Sequence, residues 1–272
     1  MKAYHAERCY VGLVALGFAR SAYEKSLGKD RPGPKVPDFG APEAKGGNAA
    51  HVYQRLVRVC NAAGSADKPE QAELDKALDL AVEVGPPLGQ AITDAGVYYE
   101  KKESEKDSFA KGRELHTTIK KGFEKLDEAT KGVADALPLY LKAFPPKWEA
   151  APAQRTQVVV DKAMAAFLLL AQGKDAGEVD KALAEVTLAV DELDTALKNL
   201  KGDPYGVYVP KMGQAFVEKA KAAAQDRSTP ALVAAATAIE DVLEAQNNAY
   251  KRERAGVVEV DDSGMNPHHG MQ

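Results

Sequence analysis

The sequence predicts an all-α protein, a bundle of long antiparallel amphipathic helices, and three observations lead to that prediction. Much of the apolar content is alanine, aromatic residues make up only 7% of the chain, and Leu, Lys and Glu are abundant. Such a composition favours helices. Apolar residues recur in steps of three and four, which is the spacing of one face of a helix. Outside the carboxyl-terminal tail, no β-branched run bounded by turn residues is typical of a strand.

The first two helices are predicted on either side of a linker. Helix one runs to Gly28 and carries one apolar stripe, formed by Tyr10, Val14, Phe18 and Ala22. The residues at 28–47 are rich in proline and glycine, which can hold neither a helix nor a strand interior. Helix two then resumes around Val52 and continues through Val59.

Two further helices are predicted before the middle of the chain. One ends at the Gly-Pro-Pro break at 85–87, because proline interrupts a helix interior. The next is a long helix that starts at Leu88, passes through a dense run of charge and reaches Leu126 or beyond. We expect it to fade near Gly132, with a last turn closed or kinked by Pro138.

The second half contains the most regular pattern in the sequence. The residues of this heptad seam alternate in steps of four and three: Val179, Leu183, Val186, Val190, Leu193, Leu197 and Leu200. Such a narrow seam is typical of antiparallel helices in a bundle. The Ser-Thr-Pro-Ala stretch at 228–231 predicts the start of the last helix, with an amino-terminal cap followed by proline.

These elements are interpreted as a single helical-bundle domain over 1–272. It contains the linker at 28–47, a candidate subdivision at 145–152 where Pro and Trp residues interrupt the pattern, and a mobile tail at 256–272. No sequence repeat of fixed period is present, which argues against a helical solenoid.

Composition and motifs exclude several classes of function. A net charge of −4 with interleaved lysines and acids gives no basic face for nucleic acid. No apolar run reaches the length of a membrane span, and no signal peptide precedes the first charges. Neither a Gly-x-Ser-x-Gly motif nor a phosphate-binding glycine loop is present, so we predict a protein that is not an enzyme and has no cofactor.

The two cysteines, Cys9 and Cys60, leave two interpretations open. Cysteine packs well as a small hydrophobic residue, so both could be buried free thiols. Alternatively, a disulfide could join the first two helices across the linker, and it would stabilise the fold by roughly 4 kcal/mol in the chain-entropy treatment.

The stretch Tyr98–His116 holds the candidate ligand-binding residues. Two tyrosines, Tyr98 and Tyr99, precede a run of alternating charge, and Glu114 and His116 follow it. His116 shares an apolar stripe with Ile119, which predicts that it points at the core. One interpretation is a buried histidine with a structural hydrogen bond; the other is a ligand or acid–base group. A di-iron bundle site is excluded, because no Glu-x-x-His motif precedes His116.

The tail offers one weak metal-binding pattern. His268, His269 and Met271 combine imidazole and thioether groups, which suit copper in principle.

The motif around His116 also carries a resemblance. The Tyr-Tyr pair, the charge run and the Lys-Gly-x-Glu-Leu-His segment at 111–116 resemble the central motif of the YiiG-like bacterial lipoproteins, a family of unknown function. The long linker and the His/Met tail depart from that family. The resemblance implies an exported, often lipid-anchored helical protein without established enzymatic activity. It also implies that membrane contact is only through a lipid anchor, which is absent from this sequence. It also favours a bridge between Cys9 and Cys60, and it assigns no catalytic role to His116.

Three functional hypotheses result. The first is a non-enzymatic binding or interaction protein of the periplasm or outer cell envelope, whose partner is an envelope protein or a small ligand. The second is a metal- or cofactor-binding bundle centred on His116. The third is a cytosolic helical scaffold, which free cysteines and an oligomeric chain would favour.

Overall fold

The computed structural model describes residues 2–26, 58–65, 70–145, 151–198 and 208–254. Within these ranges the chain forms helices joined by turns and contains no strand, and the helices pack against one another, which confirms the predicted all-α bundle. The predicted linker at 28–47 and tail at 256–272 lie outside the described residues. Among the described helices, none has the combination of length and apolarity needed to cross a bilayer.

The helices fall into two groups on either side of residues 144–150. The first group contains α1 (Lys2–Ser26), α2 (58–64), α3 (Ala72–Glu100) and α4 (Ala110–Ala143). The second group contains α5 (Ala151–Ala171), α6 (Ala176–Leu197), α7 (Tyr208–Asp226) and α8 (Thr229–Arg254). Each group surrounds its own cluster of buried apolar side chains.

Helix α3 does not end at the Gly-Pro-Pro sequence, so the predicted break at 85–87 is wrong. Pro86 and Pro87 lie inside the helix with their rings exposed. A proline inside a helix costs about 3 kcal/mol. Apolar residues before and after the prolines, including Leu78 and Ile92, are buried in the same core, and this tertiary packing offsets that cost.

The predicted continuous helix from Leu88 to Leu126 is also wrong, because the chain reverses direction in the charge run. Helix α3 ends at Glu100, a short 3-10 turn spans Glu103–Glu105, and α4 begins at Ala110. Helix α4 then continues through Gly132 and Pro138 to Ala143, where fading and closure were expected. The core-facing stripe of α4 persists past both residues, so packing against α3 and α1 maintains the helix.

The α3–α4 hairpin is built on close approach at three glycines spaced ten residues apart on α4. A Cβ added at Gly112 would lie 3.1 Å from Tyr98 Cε1, one at Gly122 would lie 2.8 Å from Leu88 Cδ1, and one at Gly132 would lie 2.7 Å from the Cβ of Ala77. As the contacts advance along α4 they recede along α3, which is the register of an antiparallel pair. The glycines therefore allow the two backbones to approach each other along the whole hairpin.

The second group forms a four-helix bundle in which each helix packs against the next and α8 returns to α5. The predicted seam on α6 is confirmed for its five residues from Val179 to Leu193, which are all buried; Leu197 is half-buried and Leu200 lies outside the described residues. The predicted start of the last helix is confirmed as well, since Ser228 Oγ accepts a hydrogen bond from the backbone N–H of Ala231.

Helix α1 contributes to both cores, because it is apolar on two faces. Ala6, Cys9, Leu13 and Leu16 are buried in the first core, whereas Val11 and Phe18 are buried in the second, with Tyr4 and Val14 packed against it. Accordingly, α1 packs against α4 on one side and α8 on the other. It is the element that joins the two groups.

Candidate functional site: the turn between α3 and α4

Tyr98 closes the tip of the hairpin by linking its two ends. Its side chain is only 1% exposed, and its hydroxyl donates a hydrogen bond of 2.6 Å to Oδ1 of Asp107. The backbone N–H of Gly112, in the first turn of α4, donates to the same phenol oxygen. Burial and the hydrogen bond to Asp107 raise the pKa of Tyr98 to about 12, so the phenol stays neutral as a donor.

Asp107 anchors the start of α4. Phe109 occupies the cap position with a left-handed backbone (φ 63°) and provides no side-chain hydrogen bond to the helix. Asp107 provides it instead: Oδ2 accepts from the backbone N–H of Lys111 at 3.1 Å, and the N–H groups of Phe109 and Ala110 also point at the carboxylate. These hydrogen bonds, led by the one from Tyr98, lower the pKa of Asp107.

Gly112 leaves the space that the two tyrosine rings occupy. A Cβ at this position would lie 2.5 Å from Tyr99 Oη, a distance that real Cβ contacts essentially never show. The Tyr98 and Tyr99 rings meet edge to face, with a centroid distance of 4.9 Å and an interplanar angle of 72°, and both contact the position of the glycine. The tyrosine pair therefore ends one helix, the Lys-Gly segment begins the next, and the residues between them form the turn.

His116 and Glu114 lie on α4 beyond this junction. Glu114 is exposed and His116 is half-buried, so the imidazole is not enclosed in the core as its stripe predicts. With 3.6 residues per turn, His116 sits roughly 60° around the helix from Ile119. That angle places it at the margin of the apolar face, which explains its partial exposure.

The predicted candidates are thus only partly brought together. Tyr98 and Tyr99 meet at the turn, whereas Glu114 points to solvent and His116 lies one helical turn beyond Gly112. Across the described ranges, no three His, Cys, Asp or Glu side chains are grouped closely enough to hold a metal ion. The tail residues His268, His269 and Met271 lie outside the described part of the chain.

Cys9 and Cys60 form a disulfide that joins α1 to α2. Both residues are fully buried in the first core. Of the two interpretations that the sequence leaves open, the structure therefore shows the bridge.

Sequence reasoning missed a second polar cluster, where α1 meets the second bundle. A side-chain amide of Gln246 on α8 donates to Gln157 on α5 at 2.8 Å, and Gln157 donates to Asp161 at the same distance. Glu7 of α1 faces Asp161 and is itself only 6% exposed. Burial, with a further contribution from the Asp161 carboxylate, raises the pKa of Glu7 to about 8, and the chain's amino terminus opposes that shift.

A second set of polar groups lies beside Glu7 on the same helix. Arg8 donates to the hydroxyl of Tyr4 at 2.9 Å, and that hydroxyl is also hydrogen-bonded to the buried Asn247 of α8. The guanidinium of Arg8 lies in the field of Glu240 and Glu244, which helps to raise its pKa. This cluster holds α1 to α8 by polar contacts.

A signal for Glu7 was present in the sequence. The residues Tyr4, Glu7, Val11, Val14 and Phe18 follow in steps of three and four, so they share one face of α1. Glu7 is the charged member of an otherwise apolar and aromatic stripe, and a charge in such a place predicts a buried polar group.

Part of the chain is similar to a known family. The family described as protein of unknown function (DUF3829) matches residues 45–139, which include α2, α3, the turn and most of α4. The chain is thus similar to that family over less than half of its length, and α1 and the second bundle lie outside the match. No curated protein and no solved structure matches the chain. The narrower resemblance to the YiiG-like lipoproteins stays a prediction.

Proposed function

We propose that this protein is a non-enzymatic binding or interaction protein of the cell envelope. The observation that carries the proposal is the Cys9–Cys60 disulfide. Disulfides form and persist in oxidising compartments such as the bacterial periplasm and are rare in the reducing cytosol. Because both cysteines are fully buried, the bridge is part of the core and not a surface modification.

The turn between α3 and α4 is the proposed binding region. Three of its residues that are not glycine, Lys102, Ser108 and Phe109, have left-handed backbones with φ between 52° and 63°. Such conformations are costly, and they cluster where a protein binds or switches. The contact of Tyr98 with Asp107 holds this strained segment in place, so its exposed side chains are presented in a fixed arrangement to an envelope protein or a small ligand.

The non-enzymatic part of the proposal is supported by the roles of the polar groups at the turn. The Asp107 carboxylate accepts hydrogen bonds from Tyr98 and from the backbone of α4. The phenol of Tyr98 and the carboxylate of Asp107 therefore hold the turn together.

The compartment is tested by intact-mass measurement after thiol alkylation without reductant, on protein made in its native host. We expect no alkylation and a mass two hydrogens below that of the dithiol. Two alkylated cysteines would contradict the envelope assignment and favour the cytosolic scaffold.

The binding region is tested by photo-crosslinking in the native host. A photoreactive amino acid is placed at Lys106, which is exposed at the turn, and in a matched chain at Lys181, which is exposed on α6. We expect a discrete crosslinked species from position 106 and none from position 181. The same species from both positions, or none from position 106, would contradict a binding role for the turn.

A further inference from the structure

Helix α1 is attached to the two groups of helices by different means. Toward the first group it is held by the Cys9–Cys60 disulfide, by the ion pair of Lys2 with Asp75 at 2.6 Å, and by the pairing of Arg20 with Asp127. Toward the second bundle the described contacts are non-covalent: the stripe of Val11 and Phe18, and the hydrogen bond of Tyr4 with Asn247. The disulfide therefore fixes α1 to the first core independently of its contacts with the second bundle.

Glu7 lies within the attachment that has no disulfide. It occupies the stripe that faces the second bundle, is 6% exposed, and lies opposite the Asp161 carboxylate instead of a cation. Transferring an ionised carboxylate away from water without a partner is very costly, whereas a neutral carboxyl is tolerated. The docked position of α1 consequently favours the protonated side chain.

The charged groups around Glu7 do not remove this preference. Asp161 on α5 faces it and adds a like charge, while the amino terminus of the chain acts in the opposite sense. On α8, Glu240 and Glu244 act on the neighbouring Arg8, and that guanidinium is already engaged with Tyr4. His5 lies beside Arg8 and Lys251, and its pKa is lowered by burial, so it is neutral where Glu7 titrates.

We propose that Glu7 is a proton-controlled latch between α1 and the second bundle. With a neutral Glu7, α1 is docked against α5 and α8; ionisation of Glu7 weakens that contact, while the disulfide keeps α1 on the first core. The direction follows from linkage: the docked state binds the proton more tightly than the open state, so rising pH favours opening. This inference is independent of the compartment and binding role proposed above.

The test is hydrogen exchange of the intact, oxidised protein, with protection factors of α1 and α8 measured between about pH 5.5 and about pH 8.5. In the native chain we expect protection on the α1–α8 contact to fall by up to about tenfold per pH unit, and to level off at the upper end. In Glu7→Gln, where nothing titrates at this position, the same protection is expected to change little. Glu218→Gln, at an exposed position of α7, is the matched control and should behave as the native chain does.

Three results would overturn the latch: a native chain whose protection does not depend on pH, a Glu7→Gln chain that keeps the native dependence, or loss of protection at α3 and α4 to the same extent as at α1 and α8. If Glu7→Gln does not fold, Glu7→Leu, which completes the apolar stripe, serves the same comparison.

Discussion

The α3–α4 hairpin and the α5–α8 bundle are made of similar amphipathic helices, yet they are held together differently. In the hairpin, glycines at 112, 122 and 132 bring the backbones close, and the tip is fastened by Tyr98 and Asp107. The first group also has the disulfide of α1 with α2. The second bundle depends on a seam of Val and Leu side chains, whose best example is on α6.

The difference shows which features carry specific sequence information. An apolar seam tolerates exchange of one large apolar residue for another at small cost. Substitution is less well tolerated at a glycine where two helices approach closely. The same holds for a tyrosine whose hydroxyl must reach one particular carboxylate. The matched family covers α2 to α4, which include the three hairpin glycines and the Tyr98–Asp107 contact. The second bundle has a close approach of the same kind at Gly213, where an added Cβ would lie 2.6 Å from Val190 Cγ2.

The largest effect is expected from removing the disulfide with the double substitution Cys9→Ala and Cys60→Ala. The bridge closes a loop with a sequence separation of 51. Its loss should cost about 4 kcal/mol of unfolding free energy in the chain-entropy treatment. Chemical denaturation gives the total, and hydrogen exchange should locate the loss in α1 and α2. A loss located in α5–α8 would show that the two regions are one cooperative unit.

In the second bundle, the next largest effect is expected from Leu183→Ala on α6. Leu183 is fully buried, and truncating such a leucine costs about 3 kcal/mol through lost burial and the cavity left behind. Leu188→Ala on the same helix is the control, because Leu188 is 64% exposed and its truncation should change stability by about 0.5 kcal/mol or less. Equal effects at both positions, measured by chemical denaturation, would contradict the assigned seam.

A smaller loss is expected from Gly132→Ala in the hairpin. The added methyl group would lie 2.7 Å from the Cβ of Ala77, which cannot rotate away, so α3 and α4 must separate. Overpacking of about 2 kcal/mol, set against up to about 1 kcal/mol of improved helix propensity, leaves a net loss of about 1 kcal/mol. A Cβ at Gly17 on α1 would meet nothing within 4 Å, so Gly17→Ala should instead stabilise the protein. Thermal unfolding of both variants and the native chain measures the two effects. Stabilisation by both substitutions would show that α3 and α4 can accommodate a methyl group at position 132, and would contradict the close approach there.

The smallest effect is expected from Tyr98→Phe at the turn. It removes the hydrogen bond to Asp107 and should cost about 1 kcal/mol or less, because the carboxylate keeps its backbone donors. Tyr10→Phe is the control, since Tyr10 is half-buried and makes no described hydrogen bond.

Comparison of the native chain with Tyr98→Phe at different pH values also tests the turn. The pKa of Asp107 is lowered in the folded protein, so its contribution is present above the unfolded pKa and is lost as the pH falls through the folded one. The stability difference between the native chain and Tyr98→Phe should therefore be constant above about pH 4 and shrink in more acid solution. A difference that grows on acidification would show that Tyr98 does not act through Asp107.

Much of the fold follows from local pattern, and the exceptions have physical reasons. The seam on α6 and the start of α8 were predicted because apolar spacing and capping act within a few residues. The passage of α3 through Pro86 and Pro87 could not be predicted, since contacts with a helix distant in sequence outweigh the local penalty. The break at 101–109 was missed because alternating charge is equally typical of an exposed helix and of a turn.

The candidate site divides in the same way. The tyrosine pair and the Lys-Gly segment were selected from the sequence, but their role as the two ends of a junction required the distances to Asp107 and Gly112. Glu7 was not predicted as a site residue, although the sequence shows that it shares a helix face with apolar and aromatic residues. The stripe alone does not tell whether a charged residue meets solvent or a second helix.

The sequence by itself determined the class of the protein, the positions of most helices and the two cysteines available for a bridge, because propensity, periodicity and residue identity are local properties. Only the tertiary structure decided that Cys9 meets Cys60, that the chain turns back between Tyr98 and Gly112, and that α1 places a carboxylate against the second bundle. Each of these depends on contacts between segments far apart in the chain, whose energy is absent until the helices pack.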